Sequence, residues 1–223
     1  DNTDDITGGM VVPIIFEDGY SEPLLPGPQN TLKKGHPATN IPIKLWRDPD
    51  NPVVRMIIGG KEFLLNQGEW SGWLNLSFDM VPFISTVKGI CKIYVKSVHP
   101  EFSMYVSPIN IDPSDPSLPI VSSDEYGETL AKNLGPFYTQ GMPEDTKALS
   151  YGILSDQEYL DLAYQIIGER RGALNHELAR LSKQGQGMLF FYFSSLDQDT
   201  HMFWRTIDPE NPLYNTELDT NFG

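Results

Sequence analysis

Residues 187–205 read GMLFFYFSSLDQDTHMFWR, and the fold turns on how this stretch is placed. Its first part, Met188–Phe193, is a near-continuous apolar run, which predicts a strand buried on both faces, as in the middle of a parallel sheet. Ser194, Ser195 and Leu196 then lead into sequence with helical spacing. Polar residues at the C-terminal mouth of such a strand sit where open α/β sheets place their ligands. On a helix Asp197 and His201 lie one turn apart on a shared face. A carboxylate with an imidazole is a usual donor pair for zinc and similar ions, so these two are assigned as metal ligands. Asp199 points elsewhere on that helix and is expected either to brace the ligands from behind or to act as a negative charge near the helix N-terminus.

The sequence upstream of this stretch is helical in period. Ser155-Asp156-Gln157-Glu158 is a capping box opening the longest helix, expected to run to about Ser182. Its apolar stripe is Tyr159, Ala163, Ile166, Ile167, Leu174, Leu178 and Leu181, and Gly185 and Gly187 close it. A long helix feeding a buried strand is half of a βαβ unit. A second capping box, Ser122-Ser123-Asp124-Glu125, opens a helix stopped near Leu134 by Gly135-Pro136, and Pro143-Glu144-Asp145 begins a short one.

Before Pro119 the period changes to two. Ile111–Pro119, with Pro113, Pro116 and Pro119, reads as a rigid connector that divides the chain into 1–112 and 113–223. In the first part Val53–Ile58 and Lys61–Asn66 flank Gly59-Gly60, the strongest hairpin signal present. Ile41–Arg47, Trp73–Phe78, Thr86–Val98 and Phe102–Val106 are further expected strands, and Met10–Phe16 is a weaker one because of Pro13. Gly19–His36, rich in Gly, Pro and Asn, is expected to be a long surface loop. Alternation puts Val87, Gly89, Cys91, Ile93 and Val95 on one face, with Lys88, Lys92 and Lys96 on the other. Cys91, the single cysteine, is therefore read as a small core residue and not as a nucleophile.

Charge narrows the partners. Thirty acidic residues against sixteen basic ones leave a net charge of −14, a field that repels phosphate backbones and argues against nucleic-acid binding across the surface. No apolar run approaches the roughly 20 residues of a membrane span.

The segment FFYFSSLDQDTHMFW (190–204) resembles the part of the type I phosphodiesterase/nucleotide pyrophosphatase family that carries a metal-binding Asp-x-x-x-His after a core strand. That family belongs to the alkaline phosphatase superfamily, and the resemblance is to a branch of phosphohydrolases or phosphomutases. Gly68-Glu69-Trp70-Ser71, Phe102–Asp112 (FSMYVSPINID) and Thr139–Thr146 (TQGMPEDT) also resemble that branch, in the same order. The resemblance implies two divalent ions, zinc foremost, a phosphate-ester or phosphodiester small-molecule substrate, and an extracytoplasmic place. It puts Asp197 and His201 among the metal ligands and Glu69 and Trp70 on the substrate side.

No Asp-His-Gly sequence and no nucleophile motif is present, and two ligands do not hold a catalytic ion. The expectation is therefore an internal fragment, inactive alone, of α+β class. A β-rich inserted domain, an antiparallel sheet or sandwich, would precede a helical part and one strand-helix piece of an α/β alkaline-phosphatase-like core. The rival expectation is a non-catalytic β-rich module holding a glycan or a protein through Trp70 and Trp73. A third is a family member without activity, retained for interaction.

Overall fold

A computed structural model describes residues 9–81, 84–214 and 216. The chain is α+β: antiparallel strands come first and helices follow. It divides into two compact units, Asp1–Glu128 and Thr129–Gly223, with the division falling inside the first helix.

Among the described residues, twelve strands lie in the first unit. They are β1 Tyr20–Ser21, β2 Leu24–Gln29, β3 Ala38–Pro42, β4 Lys44–Arg47, β5 Val53–Ile58, β6 Lys61–Asn66, β7 Glu69–Trp70, β8 Leu74–Val81, β9 Ser85–Cys91, β10 Ile93–Ser97, β11 Ser103–Val106 and β12 Asn110–Ile111. They form four antiparallel sheets, ordered β1-β4-β5-β6, β11-β10-β7, β12-β9-β8 and β2-β3. The hairpin expected at Gly59-Gly60 has its strands where the alternation puts them. Both turn glycines have positive φ, and a side chain on Gly59 would lie 2.6 Å from the Asn75 carbonyl oxygen, so only glycine fits there.

Period-two patterning decides what is buried. Val54, Met56 and Ile58 of β5 and Leu74, Leu76 and Phe78 of β8 turn into one core with Leu45, Ile93 and Val95. Cys91 is buried in the same core, and burial pushes its thiol up to about 12, so it is a packing residue. Lys92 departs from the expected polar face. It is buried, with Nζ 4.7 Å from the centre of the Trp73 ring, where the cation meets the ring's negative face.

Two expectations for this unit are corrected. The segment expected to be a long loop, Gly19–His36, contains β1 and also β2, which pairs with β3. Pro26 and Pro28 lack an N–H, yet a two-stranded ribbon has open edges where no donor is required. Met10–Phe16 forms no strand, although Ile14 and Phe16 pack on the core.

The helices are α1 Asp124–Leu134, α2 Thr146–Ser150, α3 Asp156–Gln184 and α4 Ser194–Ile207. The capping box at Ser155 is complete: its hydroxyl accepts from the Glu158 N–H, and the Glu158 carboxylate accepts from the Ser155 N–H. Helix α2 begins three residues later than Pro143 suggests, with Asp145 as its N-cap accepting from the Ala148 N–H at 2.9 Å. Helix α4 lies along the first turns of α3, where the Tyr159 and Phe203 rings are 5.7 Å apart and Arg205 pairs with Asp156.

The strand expected at Met188–Phe193 is absent. Among the described residues the second unit has no strand at all. The run has period-two exposure instead. Leu189, Phe191 and Phe193 are half-buried, the last two with ring centres 5.1 Å apart, while Met188 and Phe190 are 91% and 83% exposed. A strand buried on both faces needs hydrogen-bonding neighbours on both edges, and no described residue supplies them.

Candidate functional site

Helix α4 places the residues on which the sequence argument rests. Asp197 and His201 face each other one turn apart, His201 Nε2 being 3.5 Å from Asp197 Oδ1. Both side chains are open to solvent, 79% for His201 and 57% for Asp197. Two donor atoms on a tetrahedral zinc with bonds of about 2.0–2.1 Å stand about 3.4 Å apart, so the observed spacing suits a shared ion. The donor types fit as well. The number does not: among the described residues no three His, Cys, Asp or Glu side chains converge.

The other histidines are engaged elsewhere or stand apart. His99 Nε2 lies 2.7 Å from the Asp48 carbonyl oxygen, His176 lies beside Glu177 on α3, and His36 is exposed with positive φ.

Asp199 is turned about 200° from Asp197 around the helix, onto the half-buried side. It accepts a hydrogen bond from the Tyr159 hydroxyl, 3.3 Å away. Burial, reinforced by the charge of Glu144, raises its carboxyl to about 6. Tyr159 is wholly buried, and desolvation beside Asp199 and Glu144 holds its phenol protonated far above the usual range.

The same face carries residues that the sequence reading passed over. Glu144, just ahead of α2, is buried and accepts a hydrogen bond from the Ser195 hydroxyl. Its second oxygen, Oε2, has no hydrogen-bond partner; neither has Ser194 Oγ nor Gln198 Oε1, both in the first turns of α4. A buried polar atom left unpaired costs about 1–3 kcal/mol, so three together are a concentration of unmet polarity. No local spacing signals the cluster, because Glu144 reaches α4 only through the fold.

Glu69 and Trp70 lie far along the chain in β7. The Glu69 carboxylate accepts from the Asn66 N–H and from its side-chain amide, both at 2.8 Å, which holds its carboxyl below the usual range. The Trp70 ring lies 4.9 Å from Tyr94 and meets Tyr105 edge-on at 5.8 Å, so much of its surface is used inside the sheet.

No helix among the described residues is long and apolar enough to cross a membrane. Comparison with protein-family models, with curated proteins and with solved structures finds no match to the chain.

Proposed function

We propose that this chain is part of a metal-dependent phosphoric ester hydrolase of the alkaline phosphatase superfamily, similar to the phosphodiesterase/nucleotide pyrophosphatase branch. In this reading Asp197 and His201 supply one half of a divalent-metal site, with zinc the first candidate, and residues outside this chain complete it. The observation that carries the reading is the Asp197–His201 pair itself, a carboxylate and an imidazole held 3.5 Å apart on the open face of α4. It is supported by the order of the four resembling segments along the sequence. When bound, a divalent ion polarises the phosphoryl oxygen and activates the attacking group. Asp197 would contribute an anionic oxygen and His201 its Nε2, while the apolar segment before α4 would fix the helix beside the reacting phosphorus. The β-rich unit would shape substrate entry.

The test is zinc titration and bis-p-nitrophenyl phosphate hydrolysis by the full-length polypeptide, wild type against His201→Ala. Loss of a metal ligand should lower turnover by at least about a hundredfold and weaken zinc binding in parallel. Unchanged zinc affinity and unchanged turnover would exclude the assignment.

A further inference from the structure

The unmet polarity beside α4 has a chemistry of its own. Glu144 Oε2, Gln198 Oε1 and Ser194 Oγ are unpartnered oxygen atoms on side chains more than nine-tenths buried. Ser194, Ser195, Gln198 and Asp199 occupy one arc of about 140° on α4, which is the side against which Glu144 is anchored by the Ser195 hydroxyl. Asp199 adds a second carboxylate on this arc, oriented by the Tyr159 hydroxyl. The donors are therefore two carboxylates, an amide oxygen and a hydroxyl, with no nitrogen or sulfur among them.

We infer that Glu144, Ser194, Gln198 and Asp199 form a binding site for a hard divalent cation of the calcium type, separate from the Asp197–His201 pair. Oxygen-only donors select calcium or magnesium over zinc. Calcium is favoured because it accepts irregular shells that mix protein oxygens with water, which half-buried Asp199 can admit, whereas magnesium demands near-ideal octahedral geometry. An ion here would neutralise two carboxylates and satisfy the unpaired oxygens at once. It would also tie the segment before α2 to the start of α4, an end that no side chain caps. The inference does not rest on the proposed hydrolase activity.

The test is calcium binding to the full chain by calorimetry, with terbium luminescence excited through neighbouring aromatic rings as a second reading. A single calcium per chain is expected, with a dissociation constant of about 10⁻⁴–10⁻³ M, competing with terbium and raising the melting temperature. Glu144→Gln and, separately, Gln198→Leu should each weaken binding by about tenfold or more. Asp161→Asn, which removes a carboxylate on α3 that accepts from the Gln157 side-chain amide, should not. If Glu144→Gln fails to fold, Gln198→Leu and Asp199→Asn carry the same expectation. Absence of calcium binding up to about 5 mM would overturn the inference. So would binding that Asp161→Asn weakens as much as Gln198→Leu does, since that marks diffuse attraction to an acidic surface. Preference for zinc over calcium at this cluster would overturn it as well.

Discussion

In the unit Asp1–Glu128, alternate residues of β5 and β8 turn into a common core, Val54, Met56, Leu74 and Phe78 among them. In the unit Thr129–Gly223, Met188, Phe190, Leu196 and Trp204 stand in water while Glu144, Ser195 and Gln198 are buried. Helix α3 repeats the contrast along its own length. Its early residues Tyr159, Leu162, Ala163 and Ile166 are buried, and Leu178 further on is exposed. The first unit thus rests on apolar area removed from water, which is non-directional and tolerant. The second depends to a larger degree on a few polar contacts, where one missing partner is costly.

That contrast can be broken most sharply by truncation. Phe78→Ala should lower the stability of the β-rich unit by about 3–5 kcal/mol, because the side chain is fully buried and the surroundings of such a cavity relax only in part. Hydrogen exchange followed separately in each unit measures this. Phe190→Ala, at an exposed ring of the same kind, should stay within about 0.5 kcal/mol. Equal losses would mean that the apolar segment before α4 is packed in solution.

A smaller effect is expected at the start of α3. Ser155→Ala removes one half of the capping box and should cost about 1 kcal/mol, read as faster exchange in the first turn of that helix.

The subtlest distinction is in pH. Asp199 has a folded pKa of about 6, above its ordinary 3.8, so its contribution to stability is complete below about 4 and is lost as pH rises through 6. In the β-rich unit the shifts run the other way. Arg55 holds Glu62 below its ordinary value, and the N–H groups of Asn51 and Asp50 do so for Asp48. Their contribution is present above the ordinary carboxylate range and is lost as pH falls. With calcium chelated, the second unit should lose protection between pH 4 and 6 by less than about 1 kcal/mol, and Asp199→Asn should flatten that slope. A slope that survives Asp199→Asn would place the titrating group elsewhere.

The sequence was readable where local pattern and local chemistry agree. The Gly59-Gly60 hairpin, the Ser155 capping box and the Asp197–His201 pairing involve residues within a few positions of one another, and the structure contains all three. Leu24–Gln29 was not readable, since its prolines and glycine spell a loop; its pairing with β3 supplies the strand. Gly27 fits there because a Cβ would lie 2.1 Å from the Phe78 ring. Met188–Phe193 misleads in the opposite sense. Its composition specifies burial on both faces, but pairing depends on neighbours that the run itself cannot encode. The Glu144–Ser195 contact joins residues distant in sequence, so its chemistry emerges only with the packing of α4.

Cys91 has a practical consequence. It is the only thiol in the chain, and it is sealed within the core of the β-rich unit. A sulfhydryl reagent can reach it only when that core opens, and the same opening returns the thiol to water and removes the burial that holds its pKa high. Labelling kinetics at this one atom therefore register each opening of the first unit and ignore excursions confined to the second. The unmodified chain carries its own reporter of which half has come apart.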